Sequence, residues 1–185
     1  MKFDVVVGNP PYGKNANLAV KFLNFSAGFS DNIYMVLPKT FRKPSVLNRI
    51  DFNFALCIDR DVAHDCFPGS ISACYQHWCR SSISRGKISQ VYSHPDFLFV
   101  DKSSADVAVG RVGAGPCGKV FTQFENRSAN SHYFLKVNDD KVVSRLQKLS
   151  SKFTQAGTQT VGCPSLSKND LIVIYQQSLC NSSIL

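Results

Sequence analysis

A mixed α/β fold is predicted, on three observations. Phe3 to Val7 (FDVVV) is an almost wholly apolar, β-branched run stopped by Gly8, the composition of a strand buried on both faces. Leu18, Phe22 and Phe25 then recur at spacings of four and three, the period of a helix face. Ile33 to Leu37 is a second apolar run, broken by Pro38. Strand, helix and strand in that order mean a sheet with crossover connections.

Taken in order, the first helix covers residues 15–27, with Asn15 or Asn17 as its cap and Gly28 closing it. Residues 43–49 form a short helix with Pro44 in its first turn, where a missing N–H costs little. Phe52 to Ile58 and Ala73 to Cys79 are the third and fourth strands. Ser81 to Gly86, rich in serine, marks a boundary between a first domain over residues 1–80 and a second over residues 86–185. The second is a smaller α+β region. Short strands at 88–93, 97–100, 106–112, 119–124 and 132–137 precede two helices. The helix at 139–150 aligns Val142, Leu146 and Leu149, a stripe that Phe153 extends. The helix from Lys168 to Leu179 starts at a Ser167 cap, with Asp170 making a near capping box. Residues 181–185 are expected to fray.

The 185 residues are 44% apolar and 18% charged, which supports a packed core. No apolar run approaches the roughly 18 residues of a membrane span, and no secretory cleavage pattern follows Met1, so a cytoplasmic protein without a membrane partner is expected. Seven cysteines, an odd number with no C-x-x-C pair, favour free thiols in a reducing compartment. The formal charge of +8 suits a polyanionic partner, because neutralising phosphates releases counterions.

Asn9-Pro10-Pro11-Tyr12 follows the first strand, at the carboxyl end where α/β sheets place their ligands. Methyl transfer to an exocyclic amine needs a nitrogen lone pair withdrawn from conjugation with the ring. Acceptors on both N–H groups achieve this, and an Asn side-chain oxygen with a proline carbonyl supplies them. Two prolines hold the turn at fixed φ, so the acceptors are preorganised. Tyr12 offers a flat face for an extruded base. In a parallel sheet, Lys39, Arg42 and Lys43 after the second strand face the same crevice and are candidates for DNA phosphates, with Phe41 beside the cofactor or target base.

The stretch FDVVVGNPPYG resembles motif IV of the amino-methyltransferases, above all the adenine-specific (N6-adenine) DNA methyltransferases of phages and restriction–modification systems. The similarity continues through Leu37-Pro38-Lys39-Thr40-Phe41-Arg42-Lys43-Pro44-Ser45. It is weaker in Gly110-Arg111-Val112-Gly113 and Ser165-Leu166-Ser167-Lys168-Asn169-Asp170. The resemblance implies a partial Rossmann-like methyltransferase sheet, equivalent to strands four to seven of the family. It also implies S-adenosyl-L-methionine as cofactor and double-stranded DNA as substrate, with Asn9, Pro10, Pro11 and Tyr12 as the catalytic turn and Arg111 on the nucleic acid. In that family the Gly-rich cofactor loop precedes motif IV, whereas Met1 here lies two residues before the strand. The cofactor-binding half is therefore expected from a complementary polypeptide, with the chain inactive alone and its first strand left as an edge that invites a partner.

Other readings stay open. One is a catalytically silent remnant that binds DNA or a partner chain; another is a protein glutamine methyltransferase, since the same turn suits an amide nitrogen. Gly113-Ala114-Gly115-Pro116-Cys117-Gly118 matches G-x-G-x-x-G and nearly matches a phosphate loop, but the alternation of Lys119 to Phe124 points to a glycine-rich hairpin. His64, Cys66, Cys74, His77 and Cys79 are close in sequence, yet on a strand Cys74 and Cys79 face opposite ways, so core cysteines and no metal are expected. Lys141, Arg145, Lys148 and Lys152 form a basic stripe, read as a solvated face.

Overall fold

The computed structural model describes residues 1–63, 66, 72–160 and 162–182. Those residues hold two four-stranded sheets and five α-helices, a mixed α/β architecture. None of these helices is long and apolar enough to cross a membrane. The chain divides into two compact units, Met1–Ser89 with Thr160–Gly162, and Gln90–Gln159 with Cys163–Leu185. His64 and residues 183–185 lie outside the described residues.

The first unit contains β1 (Val6–Gly8), α1 (Asn17–Ser26), β2 (Asn32–Pro38), α2 (Pro44–Leu47), β3 (Phe54–Asp61) and β4 (Ala73–Arg80). Its sheet runs β1-β2-β4-β3. Only β1 and β2 are hydrogen-bonded in parallel; β4 is inserted between β2 and β3 and is antiparallel to both. β1, β2 and β3 therefore run in one direction, and the expectation of a parallel sheet is corrected for β4 alone. Apolar runs do not encode strand direction, because both arrangements bury the same side chains.

Registers Ile33↔Trp78 and Leu37↔Cys74 set one face of this sheet. That face packs with Ala19, Val20 and Leu23 of α1 and with Phe41, Ile50 and Phe54 into the core. A fully buried Leu23 or Phe54 contributes about 2 kcal/mol through the apolar surface it removes from water. Leu18, Phe22 and Phe25, expected from their spacing to mark a helix face, form instead an exposed stripe. Helix α1 is apolar on two sides, and periodicity alone does not say which side meets the sheet. The first strand lies at the sheet edge, as expected, but its extent and burial are corrected: β1 is short, and Phe3, Val5 and Val7 are exposed, Val7 at 73%.

Arg85, inside the expected boundary segment, fastens the loop after α2 to β3. It donates to the carbonyls of Leu47, Ile50 and Phe54 at 2.6–3.1 Å and lies 4.9 Å from the Phe52 ring centre. These contacts give carbonyls at the end of α2 and the start of β3 a charged donor.

The second unit contains β5 (Phe97–Phe99), β6 (Val107–Gly110), β7 (Val120–Phe121), β8 (His132–Val137), α3 (Asp140–Lys148), α4 (Ser150–Gly157) and α5 (Lys168–Ser182). Its sheet, β5-β8-β6-β7, is antiparallel throughout. Val107, Val109 and Leu135 pack with Leu146, Phe153, Leu171 and Tyr175. Residues 88–93 are not a strand; Val91 donates its N–H to the Asn169 side chain instead. Three helices replace the expected two, because the stripe ending at Phe153 belongs to α3 followed by a separate α4. Asp139 caps α3 by accepting from the Lys141 N–H at 2.9 Å. Ser167 and Asp170 exchange reciprocal side-chain-to-backbone bonds at 3.0 and 3.2 Å, the capping box read from the sequence.

The glycine-rich stretch is a hairpin turn: β6 and β7 pair across it, Val109↔Val120. A strand rather than a helix follows, so the backbone N–H groups do not form a phosphate cradle. Gly118 has φ +81°, and a Cβ there would lie 2.2 Å from the Thr154 nitrogen of α4. Left-handed backbone and close approach together require glycine. Gly118→Ala is expected to cost roughly 3 kcal/mol in urea unfolding, whereas Gly115→Ala, with open space around it, should change stability little.

Candidate functional site

The parallel β1–β2 pair brings two loops to one sheet edge: Asn9–Tyr12 after β1, and Lys39–Arg42 after β2. Because β4 is antiparallel to β3, its first residues face the end of that strand, Asp61↔Cys74 and Asp59↔Gln76. Asp59 and Asp61 thereby join the same edge.

In the turn, Pro10 is buried, Asn9 and Pro11 are exposed, and Tyr12 is half-buried against the core. Among the described residues, neither the Asn9 side chain nor the Pro10 carbonyl is used in a hydrogen bond by the chain itself. The Tyr12 carbonyl accepts from the N–H groups of Leu18 and Ala19 at 3.2 and 3.4 Å, which ties the turn to the start of α1. Burial first, and the neighbouring Cys74 second, push the Tyr12 hydroxyl pKa upward, so it stays protonated at neutral pH.

The connection into α1 is strained. Gly13, Asn15 and Ala16 all have positive φ, 67°, 54° and 59°. The two non-glycine residues each carry a cost of about 1–2 kcal/mol that surrounding contacts must offset. Arg49 supplies some of these, donating to the Asn15 carbonyl at 3.0 Å and to Asn17 Oδ1 at 2.5 Å. A Cβ on Gly13 would lie 2.7 Å from Leu18 Cγ. The helix start is therefore set by this left-handed run, and Asn15 and Asn17 do not act as side-chain caps.

The cations placed on this edge are already engaged. Lys39 is 9% exposed and its Nζ lies 2.9 Å from Asp61. Arg42 forms a two-pronged pair with Asp59, Nε to Oδ2 at 2.8 Å and Nη2 to Oδ1 at 2.7 Å, and also reaches Asp61 at 2.6 Å. Asp59 is the first cause raising the Arg42 pKa, and Lys39 is the first cause lowering that of Asp61. Their charge is spent within the unit, which leaves little of it for phosphates. Lys43 is half-buried and precedes α2. Phe41 is fully buried in the core, so it does not line a cofactor or base surface. Phe41, the residue assigned to S-adenosyl-L-methionine, thus does not fit that role. Nearby Cys74 is a core thiol, its pKa pushed up to about 12 by burial.

In the second unit, Val112 bridges Ser165, and the Leu166 N–H donates to the Arg111 carbonyl at 2.8 Å. Gly110–Gly113 and Ser165–Asp170, far apart in sequence, therefore lie side by side. They border a cavity of about 450 Å³ lined by Phe99, Lys102, Arg111, His132, Tyr133 and Lys168, among others. Lys168 Nζ is 4.3 Å from the Phe99 ring centre and the Arg111 guanidinium 5.4 Å from that of Tyr133. No ion pair neutralises Arg111 or Lys168 among the described residues. His132 is buried, and burial lowers its pKa, so the imidazole is neutral at pH 7. Lys102 and Lys168 were missed in the sequence because the first residue of a short 3-10 turn and a helix-start residue share no spacing.

The cysteine expectation needs one correction. Cys57 and Cys79 are joined as a disulfide across β3 and β4, and the other five cysteines are in the thiol form. The strand alternation read for β4 holds, with Cys74 and Trp78 buried on one face.

Asp61 gives a pH test. Its folded pKa is lowered, so its stabilising share is present above the unfolded carboxylate pKa and is lost as pH falls below about 4. Asp61→Asn should cost about 1 kcal/mol or less at pH 7, as an exposed pair, and flatten the acid limb of a thermal-stability profile.

Searches of protein-family models, curated proteins and solved structures find no match to this chain.

Proposed function

We propose that the first unit is the target-base-holding part of an adenine-specific DNA methyltransferase, a partial Rossmann-like sheet that works with a polypeptide supplying the methyl donor. The observation that carries this reading is the pair of uncommitted acceptors in Asn9-Pro10-Pro11-Tyr12, an exposed Asn amide and a proline carbonyl on a turn stiffened by two prolines. Acceptors that the protein does not satisfy itself are available to two N–H groups of one planar amine. Held there, the amine nitrogen keeps its lone pair out of the ring, which is the charge distribution that methylation requires. This chain binds and polarises; no side chain here acts as a base, and the departing proton goes to water.

The complementary polypeptide is supported by the open side of β1. Its outer edge has no strand partner among the described residues, and Phe3, Val5 and Val7 are exposed along it. Such an edge is a template for strand addition. DNA contact is assigned to the second unit, where Lys102, Arg111 and Lys168 border an aromatic cavity. One observation favours the alternative of a silent binding protein. Phe41, the residue expected beside the cofactor, is core.

Adenosine titrated against the chain should shift the Asn9 side-chain amide resonances in NMR, and N6,N6-dimethyladenosine, which lacks amine hydrogens, should not. Equal responses would sink the assignment, and a response to a glutamine peptide alone would favour the protein glutamine methyltransferase reading. In an enzyme reconstituted with its cofactor half, Asn9→Ala should lower methyl transfer at least ~100-fold. Arg111→Ala should weaken binding to any duplex and reduce its salt slope by about 1; an unchanged slope would remove Arg111 from the DNA surface.

A further inference from the structure

Cys57, His77 and Cys79 come together on the sheet face opposite the core of the first unit. Their ligand atoms all lie within 4.8 Å of one another. Three separate features of the fold produce this. His77 and Cys79 are two apart on β4 and so share a face. The β3–β4 register shifts between Leu56 and Ile58, a bulge that leaves Cys57 as the extra residue beside His77. The His77 ring is then locked by stacking on Tyr34, with ring centres 3.8 Å apart and planes 9° apart.

We propose that, when the cysteine pair is reduced, these three residues form a binding site for a zinc-class metal ion. Two thiolates and an imidazole are the donor set such ions prefer. The histidine is oriented for it. Nε2 lies 3.3 Å from Asn32 Oδ1, an acceptor; in the tautomer that donates to it, Nδ1 keeps its lone pair for a metal. A carbonyl-type partner on the far nitrogen is the usual support of a metal-bound histidine. Cys79 Sγ lies 3.7 Å from Nδ1 and 3.3 Å from Nε2. Bond lengths of about 2.05 Å to nitrogen and 2.3 Å to sulfur in a tetrahedron separate the two donors by about 3.6 Å. Asn32 would thus be a positioning residue. Cys57 is exposed, so the fourth coordination position opens to water.

In the structure the two sulfurs are bonded to each other, the oxidised form of the same cluster. Two molecules of a thiol reductant such as glutathione cleave that bond; they become joined as a disulfide, and Cys57 and Cys79 become thiols. On metal binding, both thiols release their protons to solvent and the ion takes two thiolates. Metal and disulfide are then alternatives, and oxidation excludes the ion.

The sequence spacing of His77 and Cys79 matches no common zinc pattern, and Cys57 enters only through strand pairing. The inference is independent of the methyltransferase reading and does not use the Asn9 turn.

Cobalt(II) titration of the reduced full-length chain is the test. One Co2+ per chain is expected, with a sulfur-to-cobalt charge-transfer band and the visible bands of a tetrahedral ion, both lost on adding Zn2+. Cys57→Ser, at an exposed position, should abolish the charge-transfer band or weaken binding at least 10-fold with the circular dichroism unchanged, while Cys66→Ser and Cys163→Ser should bind as wild type. Asn32→Ala should weaken binding ~10-fold or more without removing the sulfur band. The proposal is overturned by a reduced chain that shows no such band, by Cys57→Ser binding as tightly as wild type, or by an oxidised chain that binds as tightly as the reduced one.

Discussion

The register of β4 is the constraint on which the first unit depends. This strand pairs with β2 over Asn32–Pro38 and with β3 over Phe54–Asp61, so one shift would displace both neighbours. Because side chains alternate, a slip of one residue would carry Trp78 and Cys74 out of the core and turn His77 and Cys79 into it. The same register sets Asp59 and Asp61 next to the end of β2, where they meet Arg42 and Lys39. Core, ion pairs and the cysteine–histidine cluster are therefore three consequences of one strand alignment.

The basic charge of the chain is divided unequally in purpose. On the sheet edge, Lys39 and Arg42 are held by carboxylates, and their desolvation is offset only while those partners stay ionised. In the second unit, Arg111 and Lys168 instead lie over aromatic rings, an arrangement that leaves the cation available to an anion while its stem is packed. Composition gives the excess of charge, but only pairing shows which cations are held within the fold.

The Asn9 turn shows a local conflict with ideal geometry. Two successive non-glycine residues in left-handed conformation follow it, and they persist because Arg49 and the buried Ala16 hold them there. A turn braced in this way keeps the Asn9 amide and Pro10 carbonyl in place without spending either on the fold. Among the described residues, the same unit leaves the outer edge of β1 without a strand partner and the apolar outer stripe of α1 exposed.

The sequence by itself determined the local elements. Gly8 and Pro38 end β1 and β2, the Ser167–Asp170 box starts α5, and β4 alternation separates Cys74 from Cys79; each depends on residues within a few positions of one another. The NPPY turn was legible for the same reason, since its prolines set their own φ. Tertiary structure alone decided what depends on neighbours far along the chain. It turned β4 antiparallel, exposed Phe22 and Phe25 while burying Phe41, paired Lys39 and Arg42 with Asp61 and Asp59, and brought Cys57 to Cys79. Hydrophobic spacing states that a side chain is apolar; which surface it meets, and which charge stands opposite, follows only from the strand order.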